Sequence, residues 1–177
     1  MKKIIIMLVA VFATLSVNAQ NKSYDAYIGG GVSFFTNDDD TQIAITPEIG
    51  YSLSDKFGLG AVLAFGTEGN GSSRNTLFGI KPYVRHNVAS IGAVKFILDY
   101  QLAYANYGIK DRKTNQFQVG VAPGLAYNVN SRLAVVTHLG FLGYTYSKLD
   151  VDGADANNAF GFEAETTGLG LSIYYNF

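Results

Sequence analysis

Charged and polar side chains recur at alternate positions within otherwise apolar or glycine-rich stretches. They are Glu48, Lys81, Arg85, Lys95, Asp99, Gln101, His138, Glu163 and Glu165. Carboxylates, cations and an imidazole set among apolar neighbours either pair with one another or handle protons and ions. Covalent catalysis would require a nucleophile with a base in reach. The only bases of that kind are His138 and His86, and the serines are scattered, with none in a strained elbow. No catalytic residue is therefore assigned, and no enzyme is expected. Asp150, Asp152 and Asp155 in DVDGAD resemble a calcium loop, but Gly153 follows the second Asp directly and no terminal Glu is placed. That stretch reads as a solvated acidic loop, as do Asp38, Asp39 and Asp40. Neither a metal nor a cofactor is expected.

The N-terminus limits where these residues act. MKKIIIMLVAVFATLSVNAQ has two lysines, an apolar run from Ile4 to about Leu15, and small residues at Val17 and Ala19. This three-part form predicts a secretory signal peptide at 1–19, leaving one domain at 20–177. The apolar run is about a dozen residues, short of the roughly 20 that a spanning helix needs. Without Lys2 and Lys3, eleven basic residues face 14 acidic ones, so no nucleic-acid partner is expected. The chain has no cysteine, which excludes disulfides, thiolate catalysis and thiolate metal sites. Charged residues are 15% of the chain, well under the quarter typical of soluble domains.

After residue 20 the apolar pattern has period two throughout. Strands are expected at about 24–35, 57–66, 94–106 and 133–146. Between them lies a repeat: ITPEIGYSL, IKPYVRHNV and VAPGLAYNV each carry Pro, an aliphatic residue, a ring and another aliphatic residue at spacing two. Pro47, Pro82 and Pro123 are 35 and 41 residues apart, which is the length of a hairpin with its loops. Leu171, Ile173, Tyr175 and Phe177 form a fourth copy, so the eighth strand is expected to finish at the terminus. The connections alternate. SDK (54–56), ASIGA (89–93) and NSR (130–132) are short, whereas 36–41, 67–75, 108–115 and 147–158 are longer and polar. The expectation is an all-β, eight-stranded antiparallel up-and-down barrel with every long loop at one end. Proline inside a closed barrel strand fits poorly, because no free edge hides its missing N–H.

The second face decides what surrounds the barrel. A soluble barrel would show water Lys and Glu there, but this face reads Gly58, Gly60, Val62, Ala64, Gly66 in one strand and Gln118, Gly120, Ala122, Gly124, Ala126 in another. Small residues suit a narrow lumen. The apolar face then meets lipid. Tyr51, His86, Tyr127 and Tyr175 would form an aromatic girdle near the short turns, with Phe34, Phe65, Tyr104 and Phe141 near the long loops. Glu48, Lys81, Arg85 and Asp99 are expected to form a lumen charge network, with Asp99 meeting Lys81 or Arg85 according to register.

The signal peptide, the KPYVRHNV segment, the GLGLSIYYNF ending and the loop asymmetry make the whole mature chain resemble the small outer-membrane β-barrel proteins of Gram-negative bacteria, of the OmpX and OmpA-barrel type. The resemblance implies a transmembrane β-barrel in the outer membrane, with extracellular long loops and periplasmic termini. It implies a monomer among outer-membrane lipid and lipopolysaccharide, inserted by the barrel-assembly machinery with Tyr175 and Phe177 as an assembly signal. Lys110, Arg112 and Lys113 would lie near lipopolysaccharide phosphates, although so short a mixed-charge run first reads as a solvated loop. The implied role is envelope integrity or surface interaction. The alternatives are a narrow gated pore and a lipid-modifying enzyme.

Overall fold

The computed structural model describes residues 26–36, 41–70, 73–109, 112–151, 153–164 and 171–177. The expected signal peptide lies outside these residues. So do Asp38, Asp39, Asp40, Lys110, Asp152 and Glu165, and the side chain of Phe34.

Ten strand segments form the wall: β1 (Ala26–Thr36), β2 (Thr41–Ser52), β3 (Phe57–Asn70), β4 (Ser73–Ile91), β5 (Val94–Ile109), β6 (Arg112–Asn128), β7 (Leu133–His138), β8 (Gly140–Leu149), β9 (Ala156–Ala164) and β10 (Leu171–Asn176). Every pairing is antiparallel. Both β7 and β8 pair with β6, so they are two halves of one stave; β10 and β9 pair with those halves and form the next. The pairing of β10 with β1 closes the ring at eight staves.

The break between β7 and β8 is a bulge. Gly124 faces His138, yet Val121 faces Leu142, so one extra residue is inserted on the β7–β8 side. Leu139 N donates to Pro123 O at 2.8 Å, and Gly140 takes up a φ of 153°. An inserted residue exchanges the faces beyond it. Phe141 therefore packs over Gly120 and Gly143 on the inner side, and the expectation that it joins a girdle is overturned.

The prolines follow the same pairing logic. Pro47 pairs with Gly30, Pro82 with Ala61 and Pro123 with Leu98. On the opposite side the register partners stop at each proline: the β2–β3 ladder skips from Ile45 to Glu48, β4–β5 from Ile80 to Tyr83, and β6 from Val121 to Gly124. A residue without an N–H is thus placed where its ladder already lapses, which is how a closed sheet tolerates it.

The short turns use local side-chain acceptors. Ser54 Oγ accepts from Lys56 N and Phe57 N at 3.3 and 3.1 Å, and Asn130 Oδ1 accepts from Arg132 N and Leu133 N, both at 2.8 Å. Between Ile91 and Val94 only Gly92 and Ala93 remain, with Gly92 at φ 59°, so the expected ASIGA loop is mostly strand. The expected loops at 67–75 and 108–115 are likewise largely strand, since β3 reaches Asn70 and β6 starts at Arg112. Polar residues such as Thr67 and Thr76 face each other across the hairpin and keep the backbone paired beyond the apolar band.

The distribution of polarity is inverted. Glu48, Arg85, Asp99 and Gln101 are buried, while Ile28, Leu59, Phe65, Leu102, Val119 and Ile173 are exposed on the outer face. A closed ring has no free edge from which detergent can peel a strand. Unboiled and boiled samples should therefore migrate differently on a denaturing gel. Identical migration, with β-structure missing by circular dichroism, would contradict the closed ring.

Candidate functional site

Within the barrel, the side chains of Tyr27, Glu48, Tyr83, Asp99 and Tyr174 gather around Arg85. The β4–β5 register sets Arg85 directly beside Asp99. Arg85 Nε donates to Asp99 Oδ1 at 2.8 Å and Nη2 to Oδ2 at 2.7 Å, a bidentate charge-assisted pair. Nη2 also approaches Glu48 Oε1 at 3.5 Å and donates to Tyr174 OH at 3.3 Å. The guanidinium carbon lies 4.9, 5.3 and 5.8 Å from the ring centroids of Tyr83, Tyr174 and Tyr27, within cation–π range.

The partners are themselves tied together. Tyr83 OH donates to Glu48 Oε1, and the hydroxyls of Tyr27 and Tyr83 are 2.5 Å apart. The rings of Tyr27 and Tyr174 stack at 5.1 Å. His138 Nε2 sits 2.8 Å from Asp99 Oδ2. With Asp99 ionised by Arg85, its Oδ2 only accepts, so His138 carries its proton on Nε2.

Glycines make room for the three tyrosines. A Cβ on Gly29 would overlap the ring of Tyr174, one on Gly50 the ring of Tyr27, and one on Gly60 the ring of Tyr83. Each ring lies across a glycine of the adjoining stave. That arrangement explains glycines that weaken a strand in isolation. His138 in turn packs against the glycine position at Gly124. The plug therefore draws on Tyr27, Glu48, Gly60, Tyr83 with Arg85, Asp99, Gly124, His138 and Tyr174, one group for each stave. On its short-turn side lies a space of about 90 Å³ edged by Ser52, Asn87, Lys95, Asn128 and Asn176. Near the hairpin end a second space of about 240 Å³ is lined by Ala44, Gly66, Leu77 and Tyr107 among others.

Of the residues expected in a charge network, Glu48, Arg85 and Asp99 meet. Lys81 does not: it stands opposite Val62, partly exposed, and pairs with no described acid. Register assigns Asp99 to Arg85. Lys95 edges the short-turn space, and Glu163 lies opposite Phe141. Gln101 is buried, and its Oε1 has no partner among the described residues. Tyr27, Tyr83 and Tyr174 were not anticipated, because tyrosine reads first as a girdle residue. Their signal was their parity with the charged face. Among the described residues, no group of three acids, histidines or cysteines could hold a metal ion.

On the outer wall, His86 stacks on Phe57 at 4.6 Å, and Tyr175 meets Phe177 edge-on at 5.1 Å. Tyr127 is 51% exposed, and Tyr51 is half-buried opposite Leu59. At the other end, Phe65 and Phe78 lie 5.6 Å apart, and Tyr104, Phe117 and Tyr146 follow in register. Along β6, Phe117 and Tyr127 are ten residues apart, roughly 33 Å of strand and about 25 Å of height at a typical barrel tilt.

No protein-family model matches the chain, and no curated protein matches it. Solved structures do. Neisserial surface protein A (NspA) aligns over 88% of this chain and 98% of its own at 16% identity, with a TM-score of 0.51. The outer membrane protein OprG of Pseudomonas aeruginosa aligns over 89% and 97% at 11% identity, TM-score 0.51. The Yersinia pestis outer membrane protein Ail, in a phospholipid bilayer nanodisc, aligns over 87% and 99% at 12% identity, TM-score 0.50. At these identities the likeness is one of fold.

The plug makes its own stability predictions. Removing one member of a buried pair costs about 3–5 kcal/mol, less where water enters. Asp99→Ala should lower unfolding stability in urea far more than Lys81→Ala, and adding Arg85→Ala to Asp99→Ala should recover part of the loss. Equal effects of Asp99→Ala and Lys81→Ala would contradict the assigned partner. Gly60→Ala, which drives a methyl into the ring of Tyr83, should destabilise by roughly 1–3 kcal/mol, whereas Ala61→Gly, on the outer face, leaves the plug untouched. A Gly60→Ala protein as stable as the parent in the same titration would contradict the ring-over-glycine packing.

Proposed function

Given a chain with the fold of the small outer-membrane β-barrels, we propose that it is a non-enzymatic integral protein of the outer membrane. In this reading its closed lumen stiffens the barrel, and its long hairpins make contacts at the cell surface. The observation that carries this reading is the plug. Arg85, Asp99, Tyr83 and Tyr174 are each at most 8% exposed in the middle of the barrel, while the outer face is a continuous apolar band between two aromatic levels. Buried charge inside and Ile, Leu and Phe outside suit lipid, not water, as the surroundings. A barrel filled in this way favours a structural or adhesive role over open conduction. The hairpins β3–β4, β5–β6 and β8–β9 continue past the aromatic level as paired strands, which gives the cell surface firm projections and not slack loops. The termini and short turns would face the periplasm. There Tyr175 and Phe177, the latter with its amide donating to Ala26 O at 2.9 Å, would serve as the assembly signal while closing the ring.

Two measurements test this reading. An arginine at the bilayer midplane on a lipid-facing strand costs roughly 2–4 kcal/mol. Leu98→Arg should therefore block or weaken insertion, while Ala64→Ser on the inner face should have little effect. Equal insertion of both would reverse the faces. Because the chain lacks cysteine, one introduced thiol reports its own position. A cysteine at Asn157 should react with a membrane-impermeant maleimide on intact cells, and one at Asp55 or Asn130 only after the envelope is opened. The opposite pattern would invert the topology.

A further inference from the structure

Between the plug and the short turns the lumen carries an apolar layer and then a polar rim. Ile97, Ala126, Ala134 and Val136 make the layer, each at most 8% exposed. The stacked rings of Tyr27 and Tyr174 close its inner end. Two of the four side chains are alanines, and the room they leave is the space of about 90 Å³ on the short-turn side of Arg85. Lys95, Asn128 and Asn176 stand two residues from Ile97, Ala126 and Tyr174 on the same strands, about 7 Å nearer the turns. Ser52 and Asn87 complete the rim.

The rim is cationic, and its donors are uncommitted. Lys95 is half-buried and forms no ion pair or hydrogen bond with a described residue. Asp55 and the terminal carboxylate of Phe177 lie at this end of the barrel, and neither pairs with it. No carboxylate lines the space. The backbone amides of Asn128 and Asn176 donate to Ala93 O and Arg132 O at 2.9 and 2.8 Å, whereas their side-chain amides have no partner among the described residues. Asn87 differs, because its Nδ2 donates to Asp55 O at 2.9 Å. The free donors therefore gather on the side of β5, β6 and β10. Arg85 borders the space from the plug but is held there by Asp99. A half-buried ammonium without a counter-ion favours an anion brought from solution.

We propose that the short-turn mouth binds a short-chain monocarboxylate, of the size of propionate or butyrate. Its carboxylate would meet Lys95 and the Asn128 and Asn176 amides, and its alkyl end would enter the layer of Ile97, Ala126, Ala134 and Val136. Each half of the surface selects. One unpaired ammonium calls for one negative charge, and the amide donors call for oxygen acceptors. The apolar layer disfavours an inorganic oxyanion, whose inner oxygens would lose water there without gaining partners. Size limits the tail: an apolar cavity of about 150 Å³ takes benzene, so the smaller space below this rim suits a few carbons. The inference asks only for the closed ring, which brings β5, β6 and β10 to one mouth, and it is independent of the membrane reading above.

The test is protein-observed NMR on the full chain refolded in a zwitterionic detergent, with isoleucine methyl groups and asparagine side-chain amides labelled. Butyrate should shift the Ile97 methyl and the Asn128 and Asn176 amides in a saturable way. Lys95→Met and Lys95→Gln should each weaken that binding at least tenfold, while Lys95→Arg keeps it. Lys81→Met, on the hairpin side of the plug, should behave as the parent. Butanol and butylamine should bind at least tenfold more weakly than butyrate. Equal binding of either, or unchanged butyrate binding in both charge-removing variants, would overturn the proposal. Inorganic phosphate binding as tightly as butyrate would overturn the alkyl half of the site. A short peptide ending in an alanine carboxylate that binds tenfold more tightly than butyrate would replace the small solute with a chain end. Each sample is also run unboiled on a gel to confirm the closed ring. A parent that shows the heat shift yet no saturable response to butyrate would overturn the site while leaving the barrel standing.

Discussion

A guanidinium enclosed by a β-barrel must be neutralised and hydrogen-bonded on every side, because an unpaired charge there carries a large desolvation penalty. Arg85 meets that demand with Asp99 at two points, with Glu48 and Tyr174 at two more, and with three tyrosine faces. Much else follows from satisfying this one group. The register of β4 against β5 is the one that sets Arg85 beside Asp99. The tyrosines must reach the barrel axis, so glycines stand where their rings cross the wall. His138 must lie inside, and the bulge at Leu139 comes only after it.

The outer wall obeys a second constraint that complements the first. With the buried charges paired inside, the outward positions are apolar across the band, and the rings gather at its two margins. A closed sheet leaves no free edge at which a backbone group could stay unpaired. The three prolines respect this by standing where the ladder lapses on one side while holding partners on the other. At the hairpin margin, tyrosine hydroxyls turn to asparagine carbonyls, so the outer face changes from rings to amides within two residues.

How much of this was legible in the sequence differs by feature. Period-two alternation exposed both faces, and the recurrence of Pro, aliphatic, ring and aliphatic exposed the hairpin repeat. Glu48, Arg85 and Asp99 stood out as charges on a face of small residues. The choice between Lys81 and Arg85 was not legible, because it depends on a one-residue bulge near Val88 and on a turn of only two residues. Phe141 was misplaced for a similar reason: an inserted residue exchanges faces without leaving any local mark in composition. The tyrosines of the plug were hidden by their type, since the same residue supplies girdles. A tyrosine paired across strands with a glycine on the charged face is the pattern that separates the two roles. The hairpin extensions looked like loops because polarity, unlike pairing, can be read directly.

The central claim is that the Arg85 plug closes the lumen. Single-channel recording of the refolded protein in a planar bilayer, with Arg85→Ala recorded alongside, tests it most directly. The parent should pass no steady ion current, while Arg85→Ala, lacking the group that draws the tyrosines and carboxylates together, should show openings. Clear and steady currents from the parent, unchanged in Arg85→Ala, would contradict a sealed lumen.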